Sequence, residues 1–271
     1  MKLQAPFKYG SGALGFYSSI SAMLQRALGV SRNSSIVDLC SGSGGPWLDL
    51  SRKLHGDTSY RIWLTDKFPN FATFENIKAA SANVINVHRK SVDATDVPSE
   101  LEGFRTLFSS FHHFSPAQAR AVLQNAVDAR QGIGVFEITS RTVSAIGMMF
   151  LWFLTSFLFA PFIRPFRWSR FLYTYLLPII PLVLLFDGVV SCLRTYRTWE
   201  LRELTYGLVA PEYRWIIGEH SGAFRGLPIT YLIGYPRECN QGHILKCVLP
   251  RLNEAKIVDG RLLCNCGASE N

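Results

Sequence analysis

Two adjacent histidines, His112 and His113, are candidates for acid–base chemistry. An imidazole titrates near neutrality and can take a proton from an oxygen or nitrogen acid. Glu137 is a third candidate, as a base, a substrate anchor or a structural carboxylate. Upstream, Asp38-Leu39-Cys40-Ser41-Gly42-Ser43-Gly44-Gly45 forms a glycine-rich turn. Glycines there let the backbone approach a ligand and take positive φ. A phosphate-binding P-loop would need Gly-Lys-Ser/Thr, and no such lysine follows. A dinucleotide turn would need a small residue where Trp47 stands. Asp66 adds a carboxylate able to accept two hydrogen bonds. Asp93 reads either as a ligand contact or as a turn or cap residue.

These groups must be positioned by strands and helices. Apolar runs at 35–40, 60–65, 84–88, 104–109 and 132–138 read as strands. Helical spacing appears at 47–54, 71–80 and 116–129, and at 11–29 as one helix or two. Alternation of this kind implies an α/β fold, with a mostly parallel sheet and helices on both faces. Asp38, Asp66, Ser109 and Glu137 then lie at or near the carboxyl ends of strands, where ligands bind in such sheets. Thr198 is placed to cap a helix through Leu204, and 213–219 with 229–235 reads as a closing antiparallel hairpin.

The turn at Asp38 resembles the first motif of class I (Rossmann-like) S-adenosylmethionine-dependent methyltransferases, often Val-Leu-Asp-Leu-Gly-Cys-Gly-Thr-Gly. Asp38, Gly42 and Gly44 match; Ser43 replaces Thr, and Cys40 replaces the first Gly. Asp66, Asp93-Ala94 and the segment from Ser109 to Phe114 follow the second, third and fourth strands in the family's order. The similarity is to the small-molecule, ubiquinone/menaquinone-type branch, and covers about 36–140 and 195–237. It implies a Rossmann-like seven-stranded sheet with an antiparallel last strand. It also implies S-adenosylmethionine held by Asp38, Cys40, Ser41, Gly42, Ser43, Gly44, Asp66, Lys67, Asp93, Ala94 and Ser109. His112, His113 and Glu137 become the catalytic candidates. Tyr17, Phe111, His112, Asp187 and Arg194 are the candidates for substrate contact. A catalytically silent scaffold and an NAD-dependent oxidoreductase are the competing readings.

The α/β pattern breaks after the fifth strand. Residues 142–163 hold no charge, 171–186 add a second apolar run, and arginines separate and flank the two. About 20 apolar residues can cross a bilayer. Pro178, Pro181 and the arginines between the runs favour instead an α-helical hairpin that dips into one leaflet or lies along its surface. Hence the expectation of a membrane partner, a hydrophobic or lipid-like acceptor, and a catalytic domain on the cytoplasmic side. A soluble cap is the alternative. The formal net charge of +8 suits anionic headgroups, and no dense basic run or nucleic-acid motif is present, so no nucleic-acid partner is expected. The first residues lack the apolar core of a secretion signal, so reduced thiols are expected. The expected organisation is a helical lid at 1–34, a methyltransferase domain at 35–237 interrupted by 142–190, and an extension at 238–271. Cys239, His243, Cys247, Cys264 and Cys266 in that extension are poorly spaced for zinc, and no metal is expected.

Overall fold

The computed structural model describes residues 16–31, 34–54, 60–81, 84–163, 166–208, 213–221, 227–236, 257–258 and 261–262. The chain divides into two units, Met1–Pro236 and Arg237–Asn271. The described part of the second is one small antiparallel pair, β8 (Ile257–Val258) with β9 (Arg261–Leu262). The cysteines and His243 of the extension lie outside the described residues, as do 11–15 and Arg164.

The first unit is built on seven strands: β1 (Ser35–Asp38), β2 (Arg61–Leu64), β3 (Ile85–Val87), β4 (Phe104–Phe108), β5 (Ile133–Glu137), β6 (Tyr213–His220) and β7 (Ile229–Pro236). They are ordered β3-β2-β1-β4-β5-β7-β6. All are parallel except β7, which runs antiparallel to both neighbours. The sequence expectation of a parallel sheet closed by an antiparallel last strand therefore holds.

Side chains alternate across a strand, and this alternation sorts the core into two layers. Val37, Leu39, Leu107, Ile133, Val135 and Leu232 pack against Val122, Leu123 and Ala126 of α4 (Pro116–Asp128) and Leu201 and Leu204 of α8 (Thr198–Thr205). On the opposite face Phe108 meets Tyr17, Trp47 and Phe136 edge-on or stacked. That face carries α1 (Ser21–Ser31) and α2 (Trp47–Leu54). The expected helices on both faces are present. The described N-terminal stretch packs as core: Ile20 and Leu24 are fully buried.

Local chemistry explains the boundaries. Ser115 accepts the Gln118 N–H and Gln118 reaches back to the Ser115 N–H, a capping box that starts α4 ahead of Pro116. Asn70 caps α3 (Phe71–Ala80) through its side-chain oxygen, which accepts the Thr73 N–H at 3.2 Å. Helix α8 begins one residue earlier than a Thr198 cap would give. Arg197 is the N-cap, and its N–H goes to the Glu200 carboxylate at 2.7 Å.

The apolar insertion forms α5 (Val143–Phe159), a 3-10 turn at Ala160–Phe162, a short α6 (Trp168–Phe171), a π-helical turn at Leu172–Leu176, and α7 (Ile179–Arg194). Helix α7 continues past Asp187 and past the expected boundary at 190. One acidic residue does not end a helix, and Arg194 in the last turn complements its dipole.

Candidate active site at the carboxyl edge of the sheet

The glycine turn opens where β1 ends. Asp38 is buried beneath it: Oδ2 accepts the Ser41 hydroxyl at 2.6 Å and Oδ1 the Thr106 hydroxyl of β4 at 2.8 Å. Burial pushes this carboxyl up to about 6, against the opposing effects of Ser41, Trp47 and Thr106. Asp38 thus braces the turn from inside, and Ser41 with it; the Ser41 hydroxyl also accepts the Thr65 N–H. Cys40, Gly42, Gly44 and Gly45 all have positive φ. Gly44 has no alternative, because a Cβ there would lie 2.0 Å from Ile77 Cδ1. Above Gly42 the space is open, and an added Cβ would meet only the Cys40 carbonyl, at 3.9 Å. Cys40 accepts the left-handed conformation with φ of 55° despite its side chain. Burial, aided by Asp66, Asp38 and Asp93, pushes its thiol up to about 12.

Asp66, just beyond β2, faces the turn. Oδ2 accepts the Gly42 N–H and Oδ1 the Phe68 N–H, each at 2.8 Å. A carboxylate offers about four lone-pair positions, so two remain for a ligand. Asp93 is more committed: Lys67 Nζ lies 2.7 Å from Oδ2, and Thr95 donates to Oδ1 through both N–H and hydroxyl. Lys67 and Thr95 hold the Asp93 carboxyl down at about 2. Ala94 is buried in the core, and Ser43 is exposed at the turn.

The second half of the site lies beyond β4 and β5. Residues Phe111–His113 make one 3-10 turn. Glu137, the last residue of β5, accepts the Phe111 N–H at 2.7 Å and the His112 N–H at 3.3 Å through Oε1. Its Oε2 lies 2.7 Å from His112 Nδ1, with both side chains about 95% removed from solvent. Thr139 donates to the same oxygen at 3.3 Å and shares a 2.7 Å hydrogen bond with Thr195. A carboxylate cannot donate, so with Glu137 ionised Nδ1 is the donor in this bond, and a neutral His112 then presents its acceptor at Nε2. The strands β1, β4 and β5 are neighbours in the sheet, so the glycine turn and this pair share one edge.

Similarity to known proteins follows this geometry. No family model and no curated relative matches the sequence. Among solved structures, the CurJ carbon methyltransferase superposes with a TM-score of 0.51 at 10% identity, over 86% of this chain and 57% of that one. The chain has the class I methyltransferase fold. Lower similarity extends to magnesium protoporphyrin IX methyltransferase from Synechocystis, with a TM-score of 0.46, 11% identity, and 88% and 90% of the two chains covered. An O-methyltransferase family protein from Burkholderia thailandensis gives 0.48 at 14% identity, with 84% and 57% covered. The chain spans little more than half the length of several of these structures.

Within this methyltransferase fold, the sequence-derived residues separate into groups. Asp38, Cys40, Gly42, Gly44 and Asp66 gather around the turn, and His112 with Glu137 forms the buried pair. His113 is on the exposed side of its turn, its ring 4.4 Å from that of His112. Burial and the neighbouring His112 lower its basicity. Phe111 is fully buried in the α4–α8 core layer and offers no surface to a substrate in this arrangement. Tyr17 is also buried: its hydroxyl meets Ser109 Oγ at 2.6 Å and donates to the Phe136 carbonyl at 3.3 Å. It therefore braces the carboxyl ends of β4 and β5. Arg194 donates to the His113 carbonyl at 2.9 Å, and Tyr196 to the Phe114 carbonyl at 2.8 Å. Asp187 is exposed on α7. Sequence reasoning missed Thr106, Thr139 and Thr195. Nothing local marks them, because the Thr106–Asp38 and Thr139–Thr195 bonds each join residues distant in the chain.

Proposed function

We propose that the chain is an S-adenosylmethionine-dependent methyltransferase that works at a membrane. It transfers a methyl group to an oxygen, nitrogen or carbon atom of a hydrophobic small-molecule or lipid-like acceptor. The observation that carries the reading is the buried His112–Glu137 pair set on the same sheet edge as an open glycine turn and a half-free Asp66.

The residues present fit the cofactor. Asp66 retains lone pairs suited to ribose hydroxyls, the Gly42 region leaves open space, and Asp93 and Lys67 border the same edge. The bound cofactor would supply an electrophilic methyl group. Glu137 fixes the tautomer and plane of His112, and Nε2 then takes the proton of an acceptor hydroxyl or amine as the nucleophile attacks. A base fixed in this way contributes typically 10²–10⁴-fold. Alignment of the acceptor supplies most of what remains, since in-line displacement is chiefly a problem of orientation. Arg194 and Tyr196 hold the backbone of the loop on which His112 sits.

The hydrophobic acceptor and the membrane are argued from the insertion. Leu154, Leu158, Leu176 and Phe186 are among many large apolar side chains more than half exposed there, and such a patch is a liability in water. Helix α7 of the insertion leads directly to the His112 loop through Arg194.

Calorimetric titration of the detergent-purified chain with S-adenosylmethionine, and with NADH as control, tests the cofactor. Saturable binding of the first alone, lost in Asp66→Ala, is expected. Binding of NADH alone would establish an oxidoreductase instead. Turnover, followed as S-adenosylhomocysteine formation on apolar hydroxyl acceptors, separates an enzyme from a silent scaffold. In His112→Asn turnover should vanish while cofactor affinity stays unchanged.

A further inference from the structure

Helix length, charge placement and exposure in the insertion together decide how it meets a bilayer. Val143–Phe162 has a mean hydropathy of 2.0, with 11% of it buried. At 1.5 Å per residue it is about 30 Å long, equal to the hydrocarbon thickness. The return path is much shorter. Only Ile179–Phe186 precedes the exposed Asp187 on α7, a run of about 12 Å. Trp168–Leu176 leads into α7 at 71°. That segment is roughly 13 Å long and advances only about 4 Å along the α7 axis. The apolar return thus covers about half of the hydrocarbon core, and a crossing hairpin would leave Asp187 near the midplane, where a carboxylate is strongly disfavoured.

Charge gives the alternative orientation. At the far end of the hairpin Arg167 is exposed and Trp168 is 79% exposed. At the near end Arg194 and Arg197 are exposed, while Arg141 is paired with Glu200. Between the two ends the large exposed side chains are aliphatic or aromatic, with Leu151, Leu154, Leu182 and Leu184 each about half exposed or more, and Asp187 is the one exposed carboxylate among the described residues there. Trp168, Phe171, Leu172, Tyr175 and Leu176 line an open apolar trough of about 490 Å³ at the far end. Gly188 lets α7 close on α5; a Cβ there would fall 2.6 Å from Met149 Sδ. The hairpin is therefore a packed pair with arginine and tryptophan at one end, arginine at the other, and an apolar flank along its length. Arginines and tryptophans settle at headgroup level.

We propose that the α5–α7 hairpin lies in the plane of a single leaflet of an anionic bilayer, both ends at headgroup level, without crossing. The proposal rests on the membrane reading above and fixes its topology and its lipid. Anionic headgroups attract each arginine near the surface, by about fivefold in binding.

The test uses the full chain, added from outside to sealed vesicles of phosphatidylcholine alone or mixed with phosphatidylglycerol. Flotation should require phosphatidylglycerol, and Arg167→Gln should weaken it by about fivefold. In Ser169→Cys, a membrane-impermeant maleimide added outside should label position 169 to the same extent before and after detergent, read by peptide mass spectrometry. Labelling only after detergent overturns the in-plane arrangement, because the tip is then buried or on the far side. Flotation indifferent to phosphatidylglycerol overturns the charge argument. Absence of flotation on any vesicle overturns the membrane reading itself, while cofactor titration of the same sample shows whether the methyltransferase reading survives.

Discussion

Replacing Glu137 by Gln isolates the carboxylate's role in holding His112. Glu137 Oε1 accepts two backbone N–H groups and Oε2 accepts His112 Nδ1–H. Glutamine keeps one oxygen. The two amides claim it, which turns the new NH2 toward Nδ1 at a position now 2.7 Å away. Two donors cannot face each other there, so His112 must switch tautomer and carry its proton on Nε2. The base is then lost while the fold is nearly preserved: one exchanged hydrogen bond costs about 1–2 kcal/mol, against a fall in kcat of about 10²–10⁴. The assay is S-adenosylhomocysteine formation at saturating cofactor, with the cofactor Kd measured in parallel and expected to hold. The variant's residual kcat should rise about tenfold per pH unit as the acceptor ionises unaided. A folded variant with kcat within a few-fold of the parent would refute the oriented-base argument.

Three further predictions concern the turn. Asp38 is buried and its carboxyl is raised from 3.8 to about 6, so the folded state holds the proton more tightly than the unfolded one. Stability should therefore fall as pH rises from about 4 to 6, by up to about 3 kcal/mol. Asp38→Asn should lose that slope in urea titrations; an unchanged slope would exclude Asp38 as its source. Gly44→Ala meets both a positive φ and Ile77, and should cost about 2–4 kcal/mol. Adding Ile77→Ala should recover only the steric part, so full recovery would show that the backbone conformation is unstrained. Cys40→Gly should relieve about 1 kcal/mol of left-handed strain, whereas Cys40→Val should add to it. Equal urea midpoints for the two variants would mean that residue 40 is not left-handed.

The strands were legible because each is a short apolar run that ends in a polar or glycine-rich turn. Their largely parallel arrangement followed from alternation with helices. Asp38 and Asp66 were legible for the same reason, as strand ends are where this architecture presents polar groups. Burial of individual side chains was less legible. Phe111 sits beside two histidines, and only the 3-10 turn decides that Phe111 points to the core while His112 swings to Glu137. Tyr17 was open to two readings, a lid or core packing, and its burial against Ser109 and Phe136 shows the second. The Thr139–Thr195 bond joins the ends of the insertion, and no local pattern encodes it. The true end of α7 was hidden by Asp187, since hydropathy falls there while helix formation does not.

The sheet order has a consequence for how the chain is made. Strand β5 pairs on one side with β4, which precedes it, and on the other with β7, as in the contact between Phe136 and Tyr231. All of α5 to α8 lies between those partners in the chain. During synthesis the apolar helices leave the ribosome while the β5 edge is still open, and the sheet closes only after both hairpin strands have followed. A nascent chain must therefore shelter an open strand edge and an apolar helix pair at the same time. Whatever receives the helices first also sets the interval in which the edge is exposed to aggregation.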